Sequence, residues 1–178
     1  VSKADLPIWW TTPMDLPVLQ RYPKESARSV EVHFQGRKMQ LLVAGAGGDA
    51  TMIDYLEDTG GAWNDAHAAR SGIAPNFIHS LDAAHLMKVA IACADRGIDS
   101  LAVIHDSFGT HAARTDELAQ ILRQTFVDLY DGDPLVAFWE SVREQLQAYP
   151  DLVKQVPALP EQGDLDLGRI MQARYMFA

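Results

Sequence analysis

The sequence predicts an α+β fold that is mostly helical and carries small antiparallel hairpins. Residues 29–43 alternate apolar and polar side chains around Gln35-Gly36, which is typical of a β-hairpin. Residues 101–111 hold a short apolar strand, a tight turn and a possible return strand. From residue 71 onward, the rest of the chain is dominated by the capping signals and apolar spacing of helices.

Composition and length bound the class of protein. With 178 residues, 48% hydrophobic and 22% charged, the chain matches an ordinary soluble globular domain. No apolar stretch approaches the roughly 20 residues of a membrane span, and no signal peptide opens the chain. The single cysteine, Cys93, excludes an internal disulfide, and its apolar neighbours predict a buried thiol. The start resembles mid-protein sequence while the end looks natural, so we expect a fragment or a processed piece.

The net charge argues against nucleic-acid binding by this chain alone. It is −9, with a pI near 5.0, whereas phosphate contacts need clustered lysine and arginine. The objection weakens if the basic surface of a complete molecule lies elsewhere. One short stretch does concentrate basic residues, namely Arg21, Lys24, Arg28, Arg37 and Lys38.

The period-two segment predicts a specific strand register. If Gln35 and Gly36 form the turn, Phe34 faces Arg37, His33 faces Lys38 and Glu31 faces Gln40. One face is then apolar (Val30, Val32, Phe34, Met39, Leu41) and the other polar (Ser29, Glu31, His33, Lys38, Gln40). The proline-rich residues 1–28 are expected to be extended or irregular, and the glycine-rich residues 44–65 to form a flexible surface insertion.

Capping signals predict the helices. One helix should begin at about residues 73–77 and break near His79, and Ser80 should cap a second helix that runs to about Arg96 and ends at Gly97. A third should span about 115–130. A fourth should open at Asp133-Pro134 and continue through Leu146. Residues 157–160 form a linker, and Asp166 caps a last short helix that ends near Tyr175.

The string Leu101-Ala-Val-Ile-His-Asp-Ser-Phe-Gly-Thr-His111 carries the candidate chemistry. A buried strand, Leu101–Ile104, would deliver Asp106 at a tight turn and fix its carboxylate. Mg²⁺ takes oxygen ligands, usually one or two carboxylates plus substrate phosphates. Alone, the signal is weak, because an aspartate at a turn more often satisfies its own backbone.

This string resembles the third palm motif of phage-type single-subunit DNA-dependent RNA polymerases, in which a His-Asp-Ser turn presents a metal-binding aspartate. Ser71-Gly-Ile-Ala-Pro-Asn-Phe-Ile-His-Ser-Leu-Asp-Ala-Ala-His85 resembles the segment that precedes that motif in the same family. Pro157-Ala-Leu-Pro160 and Tyr175-Met-Phe-Ala178 resemble the family's C-terminal foot. The resemblance spans residues 7–178.

The resemblance implies roles for particular residues. Asp106 should ligand Mg²⁺ for two-metal nucleotidyl transfer, and His105 should support the turn and the growing RNA end. His79 matches a histidine that touches the nucleic-acid minor groove near the 3′ end, the alternative being a core or capping histidine. Asp82 and His85 are expected to be structural. Phe177 and Ala178 should form a foot, with the terminal carboxylate near the active site.

The hairpin at 29–43 resembles the family's specificity loop, which enters the promoter major groove. A two-stranded ribbon fits that groove. Its polar face would supply Glu31 for a cytosine amino group, Lys38 for guanine, Gln40 for adenine, and His33. The alternative is a solvated hairpin face. The implied organisation is the end of the fingers at 1–70, a palm segment at 71–156 and the foot at 157–178.

The resemblance also implies what this chain lacks. The family's first metal-binding aspartate and its nucleotide-binding lysine and tyrosine precede this region, so the remaining N-terminal part is an expected partner, in cis or in trans. The other implied partners are promoter DNA, an RNA–DNA hybrid and nucleoside triphosphates, with no membrane. Ser107 favours RNA over DNA synthesis. Phe108-Gly109 favours a phage member, which would act in the cytoplasm of an infected bacterial host.

Two alternatives from other classes remain. The chain could be a promoter-binding module without catalysis, or one subunit of a split polymerase; these differ in whether an N-terminal partner exists. An unrelated metal hydrolase is disfavoured, because a hydrolase needs more acidic and histidine ligands than this turn offers.

Overall fold

The computed structural model of the chain describes residues 6–22, 27–34, 37–44 and 65–176. The strands are β1 (Ile8–Thr11), β2 (Pro17–Gln20), β3 (Ala27–Phe34), β4 (Arg37–Ala44), β5 (Ala102–Ile104) and β6 (Ser107–Gly109). The α-helices are α1 (Ala66–Asp95), α2 (Thr115–Tyr130), α3 (Pro134–Gln145) and α4 (Pro150–Val153). Among the described residues, 3₁₀ helices cover Ala112–Arg114 and Leu167–Gln172. These elements confirm the α+β class.

Within the part of the chain that the structure describes, the strands pair consecutively as three two-stranded sheets. The chain divides into two compact units, of which the first comprises Val1–Ile8 with Gln20–Ile73 and the second Trp9–Leu19 with Ala74–Ala178.

The antiparallel ribbon β3–β4 belongs to the first unit and has the predicted register. Glu31 pairs with Gln40, His33 with Lys38 and Phe34 with Arg37. Because paired residues of an antiparallel ribbon share a face, the first two pairs fall on one face and the third on the other. The turn residues Gln35-Gly36 and the predicted insertion at 44–65, apart from Ala44 and Asp65, lie outside the described residues.

Helix α1 is continuous from Ala66 to Asp95, so the predicted break near His79 is wrong. The helix begins earlier than predicted because the Asp65 carboxylate accepts hydrogen bonds from the backbone N–H groups of His67 and Ala68, each at 2.9 Å. Pro75 therefore lies in the helix interior rather than in its first turn. Gly97, with a φ of 69°, follows the helix end as predicted.

The predicted cap residue, Ser80, has a different role. Its hydroxyl donates to the carbonyl of Phe77 at 2.7 Å and accepts from the indole N–H of Trp10 at 3.0 Å. Trp10 packs edge-on against Phe77 and Phe138, with ring centroids 6.1 and 5.6 Å apart. Through these contacts Trp10 of β1 packs on α1 at the segment where a break was expected.

Strands β1 and β2 are extended, in agreement with the prediction that residues 1–28 are extended or irregular. Trp10 is 1% exposed and Trp9 is 45% exposed, the alternation of a half-buried strand. Pro7 precedes β1, Pro13 lies in the turn and Pro17 is the first residue of β2. The prolines therefore stand where a missing N–H group costs little.

The core of the second unit lies between α1 and α2. Val89, Cys93, Ile98, Leu118 and Ile121 form a buried cluster. Burial also raises the pKa of the Cys93 thiol, with Glu117 adding to the shift, which confirms the predicted buried cysteine. By length and composition alone α1 could cross a membrane, in contrast to the sequence prediction, although a core helix passes the same test. Val89 and Cys93 of α1 lie in the buried cluster with residues of α2.

The remaining helices follow the sequence closely. Helix α2 has the predicted bounds, and α3 ends at Gln145, one residue early. The Asp133 carboxylate caps α3 by accepting from the N–H of Val136 at 3.2 Å. The last helix is 3₁₀ rather than α and ends at Gln172, although Asp166 caps it as predicted by accepting from Gly168 N–H at 2.9 Å.

Candidate active site

Strands β5 and β6 form the hairpin that carries the His-Asp-Ser turn. Ile104 pairs with Ser107, so His105 and Asp106 are the two turn residues. The strand begins at Ala102 and is not buried as predicted, since Ala102 is exposed and Ile104 is 71% exposed. Its other face packs inward through Leu101 and Phe108, which lie against the core cluster. The apolar run predicted a buried strand, but only one face of the two-stranded hairpin packs against the core.

The turn has an unusual backbone. His105 has a φ of 55°, in the left-handed region that favours glycine. Two-residue hairpin turns need a positive φ at the first or both central positions, and a non-glycine residue there costs about 1–3 kcal/mol. Such conformations concentrate at functional sites. The turn holds His105 in this state and exposes the carboxylate of Asp106.

A cavity of about 550 Å³ opens beside this turn. Helix α1 contributes His79, Asp82 and His85, the turn contributes His105 and Asp106, and α2 contributes Tyr130. The structure thus brings three of the predicted site residues, His79, His105 and Asp106, to one concave surface. Concave surfaces with convergent polar groups are typical of binding sites.

His85 forms part of the cavity wall and is 7% exposed. Its Nε2 lies 3.2 Å from the carbonyl oxygen of Leu122 and 3.1 Å from the hydroxyl of Thr125. Burial lowers the pKa of His85, against opposing effects from the Leu122 carbonyl and Asp82. The buried position agrees with the expected structural role.

Tyr130 is a cavity residue that sequence reasoning missed. Burial raises the pKa of its phenol, and Asp82 adds to the shift, so the group is a neutral hydroxyl at physiological pH. Its ring lies 4.7 Å from that of Phe126. The spacing of Phe126 and Tyr130, four residues apart on α2, was the available signal, because such residues share a helix face.

The cavity supplies few metal ligands of its own. Within residues 6–22 and 65–176, no group of three or more His, Cys, Asp or Glu side chains could hold a metal ion. Asp106 fits a Mg²⁺ site as one exposed oxygen ligand on a rigid turn, and the further ligands would have to come from elsewhere.

The remaining predicted site residues belong to other parts of the chain. Glu31, His33, Lys38 and Gln40 belong to the β3–β4 ribbon of the first unit. Phe177 and Ala178 lie outside the part of the chain that the structure describes.

Sequence comparison places these features in a family. The family model for DNA-dependent RNA polymerase matches residues 1–156. The chain is 39% identical over 177 residues to DNA-directed RNA polymerase 1A of Nicotiana tabacum, covering 99% of both. It therefore belongs to the DNA-dependent RNA polymerase family, a family of enzymes.

Longer relatives match over a small part of their length. DNA-directed RNA polymerase 1, mitochondrial, of Nicotiana sylvestris is 39% identical over 177 residues, which are 99% of this chain and 15% of the relative. DNA-directed RNA polymerase 3, chloroplastic, of the same species is 35% identical over 177 residues, which are 99% of this chain and 16% of the relative. The chain thus spans about one sixth of these two relatives.

These relatives overturn the expectation of a phage protein in an infected bacterial host. They are mitochondrial and chloroplastic plant polymerases, which points to an organelle. The inference from Phe108-Gly109 is therefore wrong. In the structure Phe108 packs against the ring of His85, with centroids 6.1 Å apart.

Proposed function

We propose that this chain is the C-terminal part of an organellar DNA-directed RNA polymerase and that Asp106 is one ligand of its Mg²⁺. The observation that carries the proposal is the strained turn at His105, which presents an exposed carboxylate beside a polar cavity. Family membership supplies the reaction class, template-dependent nucleotidyl transfer from nucleoside triphosphates to RNA.

The chain's own residues would position the reacting groups. Asp106 holds its carboxylate on a short hairpin, which fixes it better than a loop would. His105, beside it, would contact the growing RNA end, and His79 on α1 would contact the minor groove near that end. Bound Mg²⁺ would stabilise the attacking and leaving oxygens.

The proposed site is incomplete within this chain. One carboxylate cannot hold two metal ions, so the family's other aspartate and the triphosphate-binding residues must come from the N-terminal part of the polymerase. The outer face of β5 supports this, because Ile104 is 71% exposed two residues before Asp106. We propose that the rest of the palm covers this face.

The first unit would read the promoter. The β3–β4 register supports the role, since it brings Glu31, His33, Lys38 and Gln40 to one face of a ribbon suited to the major groove. We propose residues 1–70 as the end of the fingers with this specificity hairpin and an insertion at 44–65. Residues 71–156 would be the palm segment and 157–178 the foot, which includes Phe177 and Ala178.

The decisive experiment replaces Asp106 by asparagine in the complete polymerase. Asp106→Asn keeps the size of the side chain but removes its charge, so nucleotide addition should be lost while promoter binding persists. Asp99→Asn is the matched control, because Asp99 is also exposed but does not line the cavity. An Asp106→Asn enzyme with more than a few per cent of normal activity would refute the assignment.

A second experiment tests incompleteness. The purified 178-residue chain should make no RNA at any Mg²⁺ concentration. Addition of the missing N-terminal part should restore synthesis if the two parts assemble. Template-dependent transcript from the isolated chain would contradict the proposal.

A further inference from the structure

His85 ties α1 to α2 through a hydrogen bond of defined direction. Its Nε2 faces the carbonyl oxygen of Leu122, which can only accept, so this nitrogen carries the proton. The Thr125 hydroxyl donates to the carbonyl of Ile121 at 2.8 Å, which leaves its oxygen free to accept from the same N–H. Both contacts fix the plane of the imidazole.

The fixed ring also packs against the strand that follows the turn. The ring of His85 meets that of Phe108 nearly edge-on, with centroids 6.1 Å apart at 76°. It meets Phe126 of α2 in the same way, at 5.6 Å and 89°. Phe108 lies two residues after Asp106, on the face of the hairpin that packs inward. His85 is therefore a link between the two helices and the turn, beside the core cluster on which Phe108 also packs.

We propose that His85 is a positioning residue for Asp106, acting through Phe108 and held by Thr125. An isolated two-stranded hairpin is marginally stable, so its position depends on the side chains that pack beneath it. A buried aliphatic residue would fill the same space without fixing an orientation, whereas the imidazole is oriented by its hydrogen bonds. The inference rests on the proposed role of Asp106 as a Mg²⁺ ligand.

The test measures the Mg²⁺ dependence of RNA synthesis by the complete polymerase. His85→Phe keeps an aromatic ring but cannot donate to Thr125 or to the Leu122 carbonyl, and Thr125→Val removes one of the two acceptors while preserving shape. Each should raise the Mg²⁺ concentration for half-maximal activity by roughly 10-fold, because loss of a residue that orients a metal ligand typically lowers metal affinity by about this factor or more. Thr125→Ser retains the hydroxyl and should restore the wild-type value.

A stability control separates positioning from loss of fold. Leu146→Ala removes buried volume at a residue that is 1% exposed and belongs neither to the core cluster beneath Phe108 nor to the cavity lining. It should lower thermal stability at least as much as Thr125→Val, yet leave the Mg²⁺ midpoint unchanged. An equal shift in Leu146→Ala would overturn the proposal, as would wild-type midpoints in both His85→Phe and Thr125→Val.

Asp106→Asn, assayed in parallel, distinguishes failure of the positioning role of His85 from failure of the Mg²⁺ assignment of Asp106. If Asp106→Asn is inactive while the His85 and Thr125 variants keep the wild-type Mg²⁺ midpoint, the positioning role alone is refuted. If Asp106→Asn is active, the Mg²⁺ assignment and the positioning role both fail.

Discussion

The guanidinium of Arg123 in α2 donates a hydrogen bond to the backbone carbonyl of Ala173 across 3.0 Å. The same side chain reaches the carbonyl of Arg174 at 3.5 Å and that of Ala119, within α2, at 2.8 Å. Hydrogen bonds from a charged donor are stronger than neutral ones. One side chain therefore fastens the segment that leads to Phe177 and Ala178 onto the helix that also carries Thr125 and Tyr130.

Loss of this tether should expose the peptide bond after Arg174 to trypsin. Arg123→Gln removes the charged donor, so the carbonyls of Ala173 and Arg174 lose their partner. We expect cleavage after Arg174 to become several-fold faster, as measured by mass spectrometry of timed digests, because proteolysis follows local opening. Under the proposed function, the same variant should also reduce RNA synthesis.

Arg143→Gln is the control for the trypsin experiment. Arg143 lies over the ring of Trp139 at 4.4 Å, away from the tail segment. Its removal should leave cleavage after Arg174 unchanged. Identical digestion of Arg123→Gln and the unmodified protein would mean that the tether does not hold the segment.

The β3–β4 register predicts which hairpin positions choose the promoter. Lys38 pairs with His33 and Gln40 pairs with Glu31, and the two pairs share one face of the ribbon. If they make bidentate base contacts, each should discriminate bases by about 1–3 kcal/mol. Lys38→Ala and Gln40→Ala should therefore change the promoter preference of the complete polymerase, measured by competitive transcription, while elongation on a preformed scaffold stays normal.

Arg37→Ala serves as the matched control for Lys38→Ala. Arg37 has the same charge as Lys38 and is its neighbour in the strand. It pairs with Phe34 on the opposite face of the ribbon. It should not alter promoter preference. A uniform loss at all promoters in Lys38→Ala would indicate a phosphate contact or a structural role instead.

The sequence predicted elements that depend on local signals. Helix α2 was correct because its apolar positions repeat at helical spacing, and the β3–β4 register followed from alternation around a two-residue turn. Local signals misled where tertiary contacts dominate. Ser80 was taken for the cap of a second helix after a break near His79, but its hydroxyl accepts a hydrogen bond from Trp10, which is distant in the sequence.

The residues of the candidate site also differ in whether a local signal or a tertiary contact reveals them. Asp106 and His105 were proposed because a contiguous string of the sequence resembles a family motif, since an aspartate at a turn is a weak signal alone. The contact of His85 with Thr125 joins residues 40 positions apart, and no local pattern marks it. Tyr130 reaches the cavity only because α2 packs beside α1. The exposure of Ile104 was also unpredictable, since it depends on what covers the hairpin.

Gly72 should be intolerant of a side chain. A Cβ atom there would overlap the hydroxyl of Tyr22, and the ring carbon that bears the hydroxyl would lie 2.8 Å away. Alanine favours helices by about 1 kcal/mol over glycine, but overpacking costs about 1–3 kcal/mol. Because the overlap falls on a ring, we expect Gly72→Ala to lower the melting temperature.

Two further variants check the origin of that loss. Gly132→Ala should be nearly neutral, because no atom lies within 4 Å of the new Cβ position. Tyr22→Ala combined with Gly72→Ala should be less destabilising than the sum of the single changes. A Gly72→Ala protein as stable as the unmodified one would show that Tyr22 moves aside freely.

The buried imidazole of His85 predicts a loss of stability in mild acid. Burial lowers its pKa from the ordinary value of 6.5, so the unfolded chain binds this proton more readily than the folded chain. The contribution is therefore fully present above about pH 6.5 and declines as the pH falls below it. Asp82 opposes the lowering of the pKa and Lys88 adds to it. Phe108 and Phe126 pack against the ring, and Tyr130 is neutral in this pH range.

Melting temperatures measured from about pH 8 to about pH 5 test this assignment. His85→Phe should lose less stability on acidification than the unmodified protein. His67→Phe, at an exposed position near the start of α1, should leave the pH dependence in place. If His85→Phe shows the same acid-induced decrease as the unmodified protein, the imidazole of His85 is not the group responsible.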